Sequence, residues 1–381
     1  MTFDFSTPHR ILFGPGKRSF LPKILAEFGS RVFVVTGRDS IRHQALMDLL
    51  LDAGLELSTF QVQCEPTIDL VEKGRAAASA FRAAVIVGIG GGSVIDGAKA
   101  IAAMVTNKGH LRNYLEIVGE GQTITQSPLP FVAVPTTSGA GAEATRNAVL
   151  TVPSEKVKVS LRSPLMLPRV ALIDPELTLQ LPAGVTASTG MDALTQCIEP
   201  YLSSKSNPMT DPFCRDGITR AARSLRTAVQ EGFRIEARID MSMAALAGGI
   251  ALANSGLGAV HGLAAPIGGM FSAPHGSICA RLLPPTFRKN LEACEKSGLS
   301  TERFDEVARL LTGSRSARAS DGVRFLESLS SDFRIPPLSS YGIHSSHLSA
   351  ICEKASQSSS MKGNPVALSL GELKDILESA S

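Results

Sequence analysis

Asp192 and Gln196 stand four residues apart in GMDALTQCIEPY (190–201). The apolar spacing of that stretch predicts a helix, so both side chains project from one face, as a pair of metal ligands would. A carboxylate suits a divalent cation. A neutral amide is an odd partner, because imidazole is the usual nitrogen donor to a transition metal and an amide offers only a weak oxygen. Two of the seven histidines, His261 and His275, fall in VHGLAAPIGGMFSAPHGSICARLLP (260–284). His261 sits on a predicted helix after ANSGLGA, and His275 follows a proline in an irregular segment. Fourteen residues and a glycine-rich break separate the two, so they could converge on Asp192. Packed helical residues with no metal would read the same way, and the residue types alone leave that open.

Two further stretches suit an anion. GIGGGSVIDGAKA (88–100) follows a valine-rich strand and opens a helix. Gly90, Gly91 and Gly92 let the backbone approach a bound group, while Ser93 and the first helical N–H groups point at it; a pyrophosphate fits. Asp96 lies one turn further into the same motif. PTTSGAGAEAT (135–145) also follows a strand. There, Thr136, Thr137 and Ser138 supply hydroxyls for the sugar and phosphates of a nucleotide. At the end of RVFVVT (31–36), Gly37 opens space and Arg38 supplies positive charge where dinucleotide folds that select NAD place a carboxylate, although Asp39 follows at once. This predicts use of NADP(H) in preference to NAD(H).

These positions require a sheet and a helical body. RVFVVT, AAVIVGIG (83–90) and LPFVAVP (129–135) read as buried strands, with helical patterns at HQALMDLLLDAG and VIDGAKAIAAMV between them. Strand, helix and strand in alternation imply a parallel sheet with helices on its faces. After about Asp174 the valine-rich runs give way to alanine and leucine periodicities with no convincing strand. The expected organisation is an α/β dinucleotide-binding domain over 1–181 and an all-helical metal-binding domain over 182–381. The Ser-rich stretches GSRSARAS (313–320) and SQSSSMKGNP (356–365) read as surface loops.

Composition narrows the function classes. A chain of 381 residues with 44% hydrophobic and 19% charged residues has material for two packed cores. A net charge of +3, no tryptophan and three tyrosines give nucleic-acid binding no support. The N-terminal MTFDFSTPHR carries an acid and a proline where a secretory signal needs a basic start, and no stretch free of charge and glycine reaches the roughly 18 apolar residues of a membrane span. Six cysteines without close pairs suit reduced thiols, and Cys197 reads as a buried structural one. A cytoplasmic protein without membrane partners is expected.

In order along the chain, RILFGPG (10–16), GGGSVIDGAK (90–99), PTTSGAGAEAT, ALIDPELTLQLP (171–182), GMDALTQCIEPYLS, the His261 and His275 segment, and NPVALSLGELKDIL (364–377) resemble the iron-containing, or group III, alcohol dehydrogenase family. The resemblance implies a dehydroquinate synthase-like architecture, a homodimer, and a cleft between two domains where a hydride passes between NAD(P) and a small alcohol or aldehyde. It puts the metal carboxylate at Asp192 and two ligand histidines at His261 and His275, three residues that are catalytic through the metal. Fe2+ is the first choice of ion and Zn2+ the second. The ligand four after the carboxylate, normally histidine, is Gln196 here, as a weak oxygen ligand or a hydrogen-bond donor behind the ligands. A further active-site histidine is replaced by Ala265. A glycerol-type polyol dehydrogenase and a maleylacetate-reductase-like enzyme are the alternatives on the same scaffold, and a nucleotide-binding protein without catalysis is the alternative outside it.

Overall fold

The computed structural model describes residues 2–381. The chain divides into two compact units. One comprises Ser6–Thr137 with Gly141–Leu179; the other comprises Gln180–Ser381 with Ser138–Ala140 and the N-terminal segment ending at Phe5.

The first unit is built on strands β1 (Arg10–Phe13), β2 (Arg31–Thr36), β3 (Glu56–Gln61), β4 (Val85–Gly90), β5 (Phe131–Pro135) and β8 (Val170–Ile173), paired in the order β1-β8-β5-β4-β2-β3. Every pair is parallel. An antiparallel hairpin of β6 (Asn147–Val152) and β7 (Val157–Arg162) stands apart from this sheet. Helices α1 (Leu21–Ala26), α2 (Gln44–Asp52), α3 (Ile68–Ala80) and α4 (Gly92–Thr106) supply the crossovers. Each residue of β4 is buried, which is why VIVGIG is apolar throughout instead of alternating: a parallel sheet covered on both faces has no solvent side. The three expected strands are present. β1, β3 and the β6–β7 hairpin carry weaker signals, since β1 has four residues and ELSTFQ of β3 is largely exposed or half-buried.

Beyond Leu179 the described residues form helices and 3-10 turns only: α5 (Ala183–Leu202), α6 (Asp211–Gln230), α7 (Ile235–Ser255), α8 (Ala259–Met270), α9 (His275–Lys296), α10 (Glu302–Thr312), α11 (Ala319–Asp332), α12 (Leu348–Ser356) and α13 (Leu370–Ala380). One core runs through this unit, from Met191 and Leu194 on α5 through Leu263 and Ile267 on α8 to Leu283 and Phe287 on α9. The two Ser-rich stretches are not simply surface loops. Ala317 and Ala319 are buried at the start of α11, and 360–363 forms a 3-10 turn leading to buried Asn364. The Asn364 Oδ1 accepts from the backbone N–H of Ala259 at 3.0 Å and from Asn290 Nδ2 at 3.1 Å, so it closes the start of α8, which no side chain of its own N-cap closes. Among the described residues, no single helix is long and apolar enough to cross a membrane.

Candidate metal centre

The glycine loop takes its position from strand register. Gly90 pairs with Pro135 and Thr36 with Ile89, so the carboxyl ends of β2, β4 and β5 lie side by side. The crossovers after β2 and β4 run in opposite directions along the sheet, and their carboxyl ends form the crevice where such sheets take ligands. At Gly90 a Cβ would meet Val94 at 2.6 Å; the strand enters α4 too tightly for any side chain. No side chain caps α4 at Gly91, which leaves its first N–H groups for an anion. The Thr136 N–H donates to Gly90 O at 2.9 Å, joining the second loop to the first, and Thr137 packs close to Gly91. Gly37 and exposed Arg38 follow β2, where Asp39 is ion-paired with Arg42 at 2.7 Å.

Two of the candidate cofactor residues also have structural partners. Asp96 Oδ2 accepts from the Val149 N–H of β6 at 3.0 Å. Ser138 belongs to the helical unit, its Oγ 3.0 Å from that of Ser242 on α7. The second loop is held by Lys99, whose buried ammonium donates to the carbonyls of Ala142, Thr145 and Asn147 and to the Thr145 hydroxyl, all between 2.7 and 2.9 Å. Burial pushes Lys99 down to about 8 although Asp96 and Glu143 pull upward. Burial pushes the nearby Glu143 carboxyl up to about 7, against a backbone hydrogen bond and the Lys99 charge.

In the helical unit three helices meet. Asp192, Gln196 and Glu199 lie at i, i+4 and i+7 on α5, on one face, and all are buried. His261 sits in the first turn of α8. His275 opens α9 directly after Pro274, so the segment expected to be irregular becomes helical at the histidine itself. Gly276 lets that first turn press against α5: a Cβ there would fall 2.7 Å from Ser188 O. Asp192 Oδ1 is 3.4 Å from His261 Nε2 and 3.8 Å from His275 Nε2. Cys279, one turn after His275, joins them, and one donor atom from each of the four residues lies within 4.8 Å of every other.

Behind the cluster, Glu199 Oε2 is 2.5 Å from His261 Nδ1, and its Oε1 accepts the Val260 N–H at 2.7 Å. The carboxylate holds Nδ1 as a donor and leaves Nε2 directed at Asp192 and Cys279, the arrangement that orients metal-ligating histidines. Burial pushes Asp192 up, but the neighbouring His275 and His261 imidazoles, with the Gln196 amide beside it, outweigh burial and hold the carboxyl below its ordinary range. Burial pushes both imidazoles down; the negative groups about them prevail and raise His261 and His275.

Asp192 Oδ1 and Gln196 Oε1 are buried with no hydrogen-bond partner. The separations of Asp192 Oδ1 from the two nitrogens exceed the 2.7–2.9 Å or so of a charge-assisted hydrogen bond. The 3.4 Å separation from His261 is close to the edge of a tetrahedron about an ion with ligands at roughly 2.0–2.1 Å, about 3.3 Å, and the 3.8 Å separation from His275 is somewhat longer. The donor set therefore fits a divalent cation better than a hydrogen-bonded cluster. Glu199 and Cys279 are the members that sequence reasoning missed, and each carries a helical signal: seven residues after Asp192 and four after His275.

Two family models match the chain: "Iron-containing alcohol dehydrogenase" over residues 8–175, and "Fe-containing alcohol dehydrogenase family, C-terminal" over 186–381. The chain belongs to the iron-containing alcohol dehydrogenase family. It is 35% identical to the 1,3-propanediol dehydrogenase of Klebsiella pneumoniae over 376 residues, 95% of each chain. It is 33% identical to the NAD-dependent methanol dehydrogenase of Bacillus methanolicus over 337 residues, 86% of each. The crystal structure of a 1,3-propanediol oxidoreductase superposes with a TM-score of 0.94 at 33% identity, covering all of both chains. The parallel-sheet unit and the helical unit are those of this family, and the chain is an alcohol dehydrogenase of the iron-containing type.

Proposed function

We propose that this dehydrogenase interconverts a small alcohol and its aldehyde or ketone with NADP(H) in preference to NAD(H). In this reading residues 1–181 bind the nucleotide and 182–381 hold a divalent ion through Asp192, His261 and His275. The observation that carries it is the convergence of those three donors, with Glu199 fixing the tautomer of His261.

When bound, the ion supplies a Lewis acid for the substrate oxygen and the nicotinamide supplies or accepts the hydride. The protein's part is positional. Gln196, one turn after Asp192 on α5, lies beside the carboxylate and helps hold it ionised. The His275 side chain is 35% exposed while its partners are buried, which leaves an approach for a small substrate on that side. Ala265, one turn after His261, carries no proton, so the alcohol proton leaves through water instead of an imidazole relay.

Gly90, Gly91, Gly92 and Ser93 receive the pyrophosphate, with Thr136, Thr137 and Ser138 toward the sugar and phosphates. Asp96 supports that loop through β6. Arg38, beside a Gly37 that leaves room, favours a 2′-phosphate. All six cysteines are free, in keeping with a reducing cytoplasm. The edge strand β1 with half-exposed Ile11 offers a pairing edge for a second copy, as a homodimer.

A panel of short aldehydes and ketones assayed with NADPH and NADH, with added iron(II) or zinc, tests the reading. Turnover with NADPH and a fall of about tenfold in the NADPH-to-NADH ratio of kcat/KM in Arg38→Ala are expected, a loss of about 1.4 kcal/mol. A ratio unmoved by Arg38→Ala would sink the coenzyme assignment.

A further inference from the structure

Cys279 is fully buried on α9, one turn from His275, and its Sγ lies 3.6 Å from His275 Nε2 and 3.8 Å from His261 Nε2. Those are the same ring nitrogens that face Asp192 Oδ1. A thiol has one proton and a weak acceptor sulfur, so it serves two imidazole nitrogens poorly as a hydrogen-bonding group. Its spacing suits a different role. With metal–sulfur bonds of about 2.3 Å and metal–nitrogen bonds of roughly 2.0–2.1 Å, a tetrahedral ion holds sulfur and nitrogen about 3.6 Å apart. Cys197, buried on α5 itself, instead spends its S–H on the Ala244 carbonyl at 3.4 Å.

We propose that the Cys279 thiolate is a protein ligand of the metal, completing an Asp192–His261–His275–Cys279 set that selects zinc over iron. This rests on the reading that Asp192, His261 and His275 hold an ion. Carboxylate and thiolate together match the two positive charges of the cation, which a neutral amide at Gln196 could not do. Thiolate is a soft donor that favours zinc over harder divalent ions. On binding, the S–H bond breaks, a metal–sulfur bond forms and the proton passes to solvent; no oxidation state changes. Four protein donors do not shut the centre, because zinc accepts a fifth ligand.

Cobalt(II) tests this without relying on turnover. Metal-free full-length protein is loaded with one equivalent of cobalt(II) chloride, and bound cobalt is counted by elemental analysis. Its near-ultraviolet spectrum is then read for the thiolate-to-cobalt charge-transfer band. The wild-type protein is expected to show the band. Cys279→Ser should bind cobalt without it, and Cys279→Ala serves as the second variant if the serine form fails to keep the wild-type circular dichroism. In equimolar zinc(II) and iron(II) under anaerobic conditions, the wild type should retain zinc, and Cys279→Ser should lose about tenfold or more of that preference. Stoichiometric cobalt in the wild type with no charge-transfer band, or a band that survives in Cys279→Ser, overturns the assignment of Cys279 and leaves the other three ligands standing. A wild type that binds no cobalt, or an Asp192→Asn variant that binds it as well as wild type does, overturns the metal centre itself and the proposal with it.

Discussion

In the proposed reading, the two units present ligand chemistry by opposite means. In the α/β unit it belongs largely to the backbone: three consecutive glycines, uncapped N–H groups at the start of α4, and loops set side by side by the register of β4 and β5. In the helical unit it belongs to side chains from three helices, with 69 and 83 residues separating His261 and His275 from Asp192. A backbone site survives most side-chain changes and fails when a Cβ is added. A side-chain site fails when one donor or its brace is removed. The two should therefore break independently, each by its own kind of substitution.

The largest expected effect tests that independence. His261→Ala should lose its metal and nearly all turnover while binding NADPH as wild type does, followed by nucleotide fluorescence and elemental analysis. Gly90→Ala should do the reverse, because its Cβ would collide with Val94 at 2.6 Å. Metal loss that also abolished nucleotide binding would erase the contrast.

Next in size is a pH effect confined to the α/β unit. Glu143 is raised to about 7 from an ordinary 4.5, so the folded state holds its proton more tightly than the unfolded state. Its contribution is fully present below about pH 4.5 and is lost as pH rises through about 7, a change on the order of 3 kcal/mol. The urea midpoint of the wild type should fall between pH 5 and 7.5, and Glu143→Gln should flatten that slope while metal content stays constant. A slope unchanged in Glu143→Gln would assign the pH dependence elsewhere.

Glu199→Gln sharpens the comparison from the helical side. It keeps the shape but loses the charge that holds His261 Nδ1, and chelator competition should show about 10 to 100-fold weaker metal binding with nucleotide affinity untouched. Wild-type metal affinity in this variant would reduce Glu199 to a packing role. The smallest effect belongs to Gln196→Ala. It removes a buried amide beside Asp192 that helps hold the carboxylate ionised, a contribution of about 1 kcal/mol, so metal affinity should drop several-fold and activity should remain measurable. Complete metal loss would make Gln196 itself a necessary ligand.

Features coded by neighbours in the chain were legible in the sequence. RVFVVT, VIVGIG and FVAVP announce buried parallel strands because their interiors are apolar throughout and β-branched residues recur. The glycine run announces a tight entry into a helix, and the loss of valine runs after Asp174 announces the change to helices. Asp192 and Gln196 were readable as one helical face because a 3.6-residue period fixes direction locally. The same period reaches Glu199 and, from His275, Cys279, yet neither stands out without knowledge of what each helix faces. Strands such as ELSTFQ, half-exposed at the sheet edge, lack the apolar run that marks the central ones. Asn364, in a Ser-rich stretch that looks like surface, became a buried cap for α8 because a helix start from another part of the chain needed its oxygen. The sequence by itself determined the kinds of element and the residues able to ligate. Tertiary packing alone decided which donors converge, since Asp192 meets His261, His275 and Cys279 only where α5, α8 and α9 cross, and no local period records a distance between helices.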